Sequence, residues 1–326
     1  MTAMRCNRPA CCQRSFPSFG GALCLALLLA VASPGLSACS ADAVGTSNEE
    51  PSGSAVPALR TIEQPAISDS PTATGNGAVI DMEQVSNRGV ILASGGGGMN
   101  RMKLTVSCGD MTYAYDLPGD GAPVTVPANM GDGTYDVRVM LNTEGNNYIE
   151  VLSATADVKL ASEFQPFLMP NVFCSYDENS PCVRQARQIA EDSDNQGELA
   201  LRICEYVIAQ MEYDKEKALA LEDATGYVPN PDNALAERKG ICFDYASLCV
   251  ALFRSTGIPA KLVTGYVPPD RVYHSWVEAY VDGHWSRYGI SVQSGHWSRL
   301  DITMADGLAE DAPQLDSSSY EVRYVY

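Results

Sequence analysis

The spacing of hydrophobic residues separates a β-rich stretch from a later part that begins with helices. Between about residues 78 and 170, apolar side chains take every second position, as at Met102, Leu104 and Val106. A period of two is typical of strands with one buried face. Glycine-rich turns such as residues 119–121 separate these runs. We therefore predict an antiparallel β-sandwich over residues 78–170.

Beyond residue 170 the period changes to that of helices. Residues 182–190 and 198–213 carry apolar side chains three or four positions apart, which predicts two helices. Proline, asparagine and aspartate interrupt the pattern over 226–240, where we predict a loop. A third helix is then predicted to start near Cys242.

Strands follow the third helix. Residues 261–267 and 272–281 are rich in β-branched and aromatic side chains, and more strand is predicted from Trp285. Helices followed by strands are typical of an α+β domain. The predicted fold is therefore α+β overall, with the N-terminal β-sandwich followed by an α+β domain over residues 171–326.

The first 38 residues have the order of an export signal. Three arginines precede an uncharged apolar run over 22–32. This run is shorter than the about 20 residues that a membrane span needs, and small residues before Cys39 suit cleavage by a signal peptidase. We expect residues 1–38 to be removed and the mature protein to lie outside the cytoplasm.

The residues Leu-Ser-Ala-Cys at 36–39 resemble a bacterial lipobox. The resemblance implies that Cys39 is lipidated and anchors the protein to the cell membrane. The alternative is a secreted protein with a chance cysteine here. Residues 39–77 are rich in serine, threonine, proline and acidic residues, with few large apolar side chains, which predicts a disordered tether.

The charge of the chain restricts its partners. Forty Asp and Glu against 22 Lys and Arg give a net charge of −18. Negative charge repels nucleic acids and anionic membrane surfaces, so we expect neither as a binding partner. The acidic stretch around Asp192 and Asp194 has Ile203 where an EF-hand needs glutamate, and no cysteine pair has the spacing of a zinc site. We therefore predict no metal.

The position of Cys242 is typical of a nucleophile. It follows Gly240-Ile241 and lies in the first turn of the predicted helix. Unpaired backbone N–H groups and the positive end of the helix dipole favour a thiolate there, and the same amides could stabilise an oxyanion. A structural core cysteine is the alternative interpretation.

His274 and Asp301 supply the partners that a cysteine nucleophile needs. His274 begins a predicted strand and can project toward the helix start, where it would act as general base. A carboxylate on the next strand would fix the tautomer of the histidine, and Asp301 lies where that strand should run. We predict that Cys242, His274 and Asp301 are the catalytic residues.

Three segments resemble the core of the transglutaminase-like superfamily: residues 240–245, residues 273–278, and Trp297 four positions before Asp301. The resemblance covers roughly residues 175–306. It implies a papain-like fold and a β-rich module like those of exported bacterial members.

The resemblance also implies roles for the three residues. Cys242 corresponds to the nucleophile, His274 to the general base and acid, and Asp301 to the group that orients the histidine. Members of the superfamily cross-link glutamine to lysine, hydrolyse peptides or amides, or have lost activity.

A short repeat departs from the superfamily pattern. The residues Gly-His-Trp-Ser-Arg occur at 283–287 and again at 295–299. The pattern would place the aspartate four residues after the first tryptophan, where Gly289 stands. We interpret the repeat as a twelve-residue insertion, folded as an extra hairpin, that moves the aspartate to Asp301. The alternative is that the duplication has damaged the site.

The other cysteines follow from the predicted compartment. Cys174 and Cys182 flank a polar loop and are candidates for a disulfide in an oxidising environment. Cys108, Cys204 and Cys249 lie on apolar stripes, where buried free thiols are common.

These observations predict an exported cysteine enzyme. It would transfer or hydrolyse acyl groups of peptide or side-chain amides through a thioester on Cys242, with protease or amidase activity favoured. The expected substrate is a peptide or protein of the cell envelope. No cofactor is expected, because the thiolate, the imidazole and backbone amides supply the chemistry. The alternative is a non-catalytic envelope protein that holds peptides in the same groove.

Overall fold

The computed structural model describes residues 49–326 apart from residues 97, 99, 223, 269, 270 and 317. The predicted signal peptide, the lipobox with Cys39, and the first part of the predicted tether lie outside the described residues. Helices and strands are numbered in chain order below.

Residues 49–77, which we predicted to be disordered, lie along the folded part of the chain. Strand β1 (Glu49–Gly53) pairs antiparallel with residues 283–287. Further on, the backbone N–H of Ile62 donates to the Glu178 carboxylate at 2.8 Å. The tether prediction is wrong for these residues. They bury few large apolar side chains, as the sequence indicated, but hydrogen bonds to the rest of the chain hold them in place.

Two four-stranded antiparallel sheets follow. The first has the spatial order β2 (Ala73–Gly75), β3 (Ala78–Asp81), β4 (Val90–Gly95) and β7 (Val124–Pro127). The second has the order β6 (Met111–Leu117), β5 (Met102–Cys108), β8 (Gly133–Glu144) and β9 (Asn147–Val158). A one-turn helix, α1 (Val85–Arg88), joins β3 to β4.

The alternating residues of these strands form the core between the sheets. Leu104 and Val106 of β5 and Val137 of β8 are buried, and they belong to the same cluster as Ile80 of β3. The period-two pattern therefore identified the buried faces correctly. The two sheets share one core, as the predicted sandwich requires.

The second part of the chain begins with helices and is held together by one of them. The helices are α2 (Pro181–Glu191), α3 (Gln196–Gln210), α4 (Lys215–Leu221), α5 (Pro231–Glu237) and α6 (Cys242–Ser255), with a short α7 (Ile302–Ala305) further on. The three helices predicted from the sequence correspond to α2, α3 and α6. Leu248, Leu252 and Phe253 are fully buried side chains of α6, which forms the centre of the domain. A rigid central helix positions the residue at its start.

Helix α5 lies in the stretch predicted as a loop. The Asn230 side chain caps it by accepting from the backbone N–H of Asn233 at 2.9 Å, and Pro231 is its first residue. Asparagine and proline start a helix as readily as they interrupt one. The prediction of a loop was therefore wrong for 231–237.

One face of α6 packs on a four-stranded antiparallel sheet. Its spatial order is β16 (Trp297–Leu300), β13 (Val272–Tyr280), β12 (Ala260–Val267) and β17 (Glu321–Val325). The central pair agrees with the two strands predicted from the sequence. The protein is thus α+β, with helices and antiparallel sheets in the same domain.

Two smaller sheets complete the fold. Strand β10 (Glu212–Tyr213) runs parallel to β11 (Lys239–Gly240) just before α6. The repeat contains the hairpin expected there, formed by β14 (Gly283–Arg287) and β15 (Ile290–Val292), and β14 also pairs with β1. Within the described residues, no helix is both long and apolar enough to cross a membrane.

Candidate active site

Cys242 is the first residue of α6, as predicted. Ile241 is the N-cap, and the Cys242 side chain is partly exposed. The chain reaches this position through Gly240, where a Cβ atom would lie 2.6 Å from the Cβ of Asp244. Glycine is therefore needed for the close approach of β11 to the first turn of the helix.

Asp244, which the sequence analysis did not single out, organises this turn. Its buried carboxylate accepts the backbone N–H of Ile241 at 2.9 Å and the Lys217 ammonium at 2.8 Å. The Tyr227 hydroxyl donates to the other carboxylate oxygen. The available signal was the spacing, because a carboxylate three residues after an N-cap commonly accepts the N-cap amide.

His274 lies in β13 and contacts Asp301. Its Nε2 is 3.0 Å from Oδ2 and 3.1 Å from Oδ1 of the aspartate, and both side chains are buried. With Nε2 engaged in this way, Nδ1 is the ring nitrogen left for the Cys242 thiol. The Cys242 thiol is close enough to the imidazole to act on it, so the structure brings the three predicted residues together: thiol, imidazole and carboxylate.

Asp301 follows β16 directly and caps α7. Its Oδ1 accepts the backbone N–H of Met304 at 3.1 Å, and its Oδ2 accepts the Tyr320 hydroxyl at 2.7 Å. We had predicted that Asp301 would lie in a strand; the strand ends one residue earlier, at Leu300. The helix cap and the tyrosine fix a carboxylate that is 1% exposed.

Tyr320 is a further residue that the sequence did not reveal. Its ring packs edge-on against Trp276 with centroids 5.1 Å apart, and the Arg299 guanidinium lies 3.7 Å over its face. Burial and the neighbouring Asp301 charge raise the pKa of Tyr320, so its hydroxyl remains a donor. A tyrosine nineteen residues after an aspartate matches no known motif, so the sequence carried no signal for it.

The surroundings of His274 favour its protonated form. Burial alone lowers the pKa of a histidine, but the hydrogen bonds and charges of Asp301 and Cys242 outweigh it and raise the His274 pKa from 6.5 to about 10. The imidazolium is therefore the main form at neutral pH. A cation held beside a cysteine stabilises the thiolate, which is the nucleophilic form.

The predicted disulfide between Cys174 and Cys182 is absent, and both residues are buried free thiols. The Cys174 thiol is directed at the carbonyl of Ser247, 3.6 Å away, and Cys182 belongs to the first turn of α2. Burial raises the pKa of Cys174 to about 12, which keeps it protonated. The disulfide prediction was wrong because both side chains are packed into the helical core.

Comparisons with known proteins find a family match and a relative for parts of this chain. Residues 183–301 match the model of the transglutaminase-like superfamily. An uncharacterized protein of Mycobacterium leprae (strain TN) is 30% identical over 90 residues, which are 24% of this chain and 32% of that protein. The chain thus spans about a third of this relative's length.

Solved structures of low identity show some likeness to the fold. A proposed cysteine protease from Cytophaga hutchinsonii is 17% identical, with 78% of this chain and 82% of that chain covered and a TM-score of 0.34. Red sea bream transglutaminase is 14% identical, with 60% and 46% covered and a TM-score of 0.25. At these scores the likeness supports no further argument. The family match concerns the sequence alone: residues 183–301 of this chain match the transglutaminase-like superfamily.

Proposed function

We propose that this protein is a cysteine enzyme that hydrolyses amide bonds of peptides or protein side chains. The observation that carries the proposal is the placement of Cys242 at the start of α6, with His274 held by a buried Asp301. Nucleophile, proton carrier and orienting carboxylate are the three groups that thiol-dependent acyl transfer requires.

In the first half of the proposed reaction, the Cys242 thiolate attacks the carbonyl carbon of the substrate amide. The carbonyl oxygen becomes an oxyanion, which backbone N–H groups at the start of α6 can stabilise, since the first amides of a helix lack an i−4 carbonyl partner. The intermediate collapses with loss of the amine, which takes a proton from the His274 imidazolium. The acyl group is now a thioester on Cys242.

In the second half, neutral His274 removes a proton from a water molecule, which attacks the thioester carbonyl. Collapse of this intermediate releases the carboxylic acid, and the thiolate and imidazolium are restored. If a primary amine replaced water, the same steps would form a new amide. The chemistry of this chain permits both outcomes, and hydrolysis is our first choice.

Product analysis tests this proposal. Purified protein is incubated with unfolded protein substrates, with and without a fluorescent primary amine. We expect new peptide fragments or released ammonia, and little incorporation of the amine. The Cys242→Ala and His274→Ala variants should be inactive, while Cys108→Ala, which changes a thiol in the β-rich part, should be fully active.

Two results would change the account. Efficient incorporation of the amine, with little hydrolysis, would reassign the protein to cross-linking. Tight peptide binding without turnover by either route would favour the non-catalytic envelope protein.

We also propose that the protein is exported and anchored through a lipid on Cys39. The support is the order of charged, apolar and small residues before that cysteine. Expression of the Cys39→Ala variant should leave the leader uncut or release the protein from the membrane fraction. A variant that is processed and still sediments fully with membranes would show that the anchor lies elsewhere.

A further inference from the structure

A buried carboxylate lies in the same helix turn as the nucleophile. Asp244 is two residues after Cys242, and its side chain is 3% exposed. Negative charge at a helix N-terminus stabilises the helix, but it also disfavours a second negative charge on a neighbouring thiolate. An uncompensated Asp244 would therefore oppose the activation of Cys242.

A lysine from a separate helix compensates this charge. The Lys217 ammonium, on α4, lies 2.8 Å from Oδ2 of Asp244. Burial lowers the Lys217 pKa, but the bonds to Asp244 and Tyr227 outweigh it and leave the pKa raised, so Lys217 carries its charge at neutral pH. The ammonium also lies 4.8 Å from the centre of the Tyr227 ring, whose hydroxyl donates to Asp244.

The position of Lys217 is fixed by the strand that leads to the nucleophile. Asp214 caps α4 by accepting the backbone N–H of Lys217 at 2.9 Å. The backbone N–H of Asp214 in turn donates to the carbonyl of Gly240 at 2.8 Å. The start of α4 is thus bonded to the chain two residues before Cys242, so the lysine is held in place relative to the thiol.

We propose that Lys217 is a positioning residue that acts on Cys242 through Asp244. By neutralising the carboxylate, it keeps the start of α6 favourable for a thiolate while the carboxylate continues to hold the N-cap amide. The inference rests on the proposed function, because it assigns the lysine a purpose in activating the nucleophile. It explains why a buried acid is tolerated beside a reactive thiol.

Other ionisable groups face the same region and stay unchanged in the test. Tyr213 on β10 and His274 on β13 are both close enough to Cys242 for their charges to interact with it. Asp301 acts on the thiol through His274. Variants at Lys217 and Asp244 leave these three groups in place, so a changed rate reports on the lysine and its carboxylate.

The experiment measures alkylation of Cys242 by iodoacetamide at pH 6, with the Cys242 peptide quantified by mass spectrometry. Lys217→Met should slow alkylation about five- to tenfold, on the order of the effect of leaving one buried charge without its hydrogen-bonded partner. Lys217→Arg should retain most of the rate. Lys215→Met is the matched control, since this exposed lysine lies in the same short helix.

A double variant separates charge from structure. Asp244→Asn retains an oxygen that can accept the Ile241 amide, so Lys217→Met combined with Asp244→Asn should return the rate to near the wild-type value. An unchanged rate in Lys217→Met would overturn the inference. A double variant as slow as Lys217→Met would also overturn it, since that result indicates a packing role. Wild-type protein that alkylates no faster than a model thiol would instead contradict the proposed function itself.

Discussion

Replacement of Asp301 by asparagine tests the role of the carboxylate that contacts His274. The substitution keeps the size of the side chain but removes the charge that His274 faces at 3.0 Å. An amide NH₂ turned toward Nε2 would favour the wrong tautomer of the imidazole, and a buried imidazolium would lose its counter-ion. We therefore expect the Asp301→Asn protein to fold but to have a much less reactive Cys242.

The size of the effect follows from the His274 pKa. A rise from 6.5 to about 10 corresponds to about 5 kcal/mol of preference for the imidazolium, at 1.36 kcal/mol per pKa unit. Cys242 contributes to this rise together with Asp301. A hydrogen bond to a charged group contributes about 1.5–3 kcal/mol, so loss of the aspartate charge is expected to slow the reaction about a hundredfold, at about 1.4 kcal/mol for each factor of ten.

The assay compares alkylation of Cys242 between pH 5 and 10 in the two proteins, with melting curves to verify folding. The matched control is Asp282→Asn, since Asp282 is an exposed acid in the same region that accepts from Ser54 and Ser294. Asp301→Asn should be about a hundredfold slower at pH 7 and Asp282→Asn unchanged. A folded Asp301→Asn protein with a rate within twofold of wild type would refute the assignment.

Four further predictions concern the surroundings of the site. The raised His274 pKa stabilises the fold fully below about pH 6.5, and this contribution is lost as the pH rises through about 10. The free energy of unfolding in urea should therefore fall over that pH range, and it should fall less in Asp301→Asn. Tyr320→Phe removes the 2.7 Å bond to Asp301 and should slow Cys242 alkylation about tenfold, as expected for about 1.5 kcal/mol of a charged hydrogen bond; full reactivity would deny the tyrosine this role. Gly265→Ala would place a Cβ 2.1 Å from the Glu321 carbonyl and should lower the free energy of unfolding by about 1–3 kcal/mol, measured in urea. Trp285→Ala should lower it by about 3–5 kcal/mol, because this side chain of the repeat is fully buried, whereas His284→Ala, at an exposed position of the same strand, should change it little.

Local patterns in the sequence were sufficient for most of the fold. The period-two alternation identified β5, β8 and the end of β9, which lie in one sheet. Helical periodicity identified α2, α3 and α6. Helix α5 was missed because proline and asparagine have the same local signature at a helix start as in a loop. The strand β1 was missed because its pairing with β14 depends on hydrogen bonds between backbones about 230 residues apart, which leave no mark on side-chain composition.

The residues of the site also divide into those that local sequence patterns identified and those that they did not. Cys242 and His274 stand in short motifs, and Asp301 could be found by allowing for the repeat. Lys217, Tyr227 and Tyr320 contact the site only because distant segments converge on it, and their spacing in the chain carries no signal. The disulfide was predicted from the expected compartment and from the polar loop between the two cysteines, and neither feature reports that both thiols are buried and free.

Formation of an acyl-enzyme on Cys242 is the step on which the whole account depends. It can be observed without knowledge of the natural substrate by mixing the protein with an activated p-nitrophenyl ester of a short acyl peptide. The account predicts a burst of one p-nitrophenol per protein molecule and a matching mass increase on the Cys242 peptide that hydroxylamine removes. It also predicts no burst in Cys242→Ala. Folded wild-type protein that shows neither the burst nor the hydroxylamine-sensitive mass would contradict the claim that Cys242 is a catalytic nucleophile.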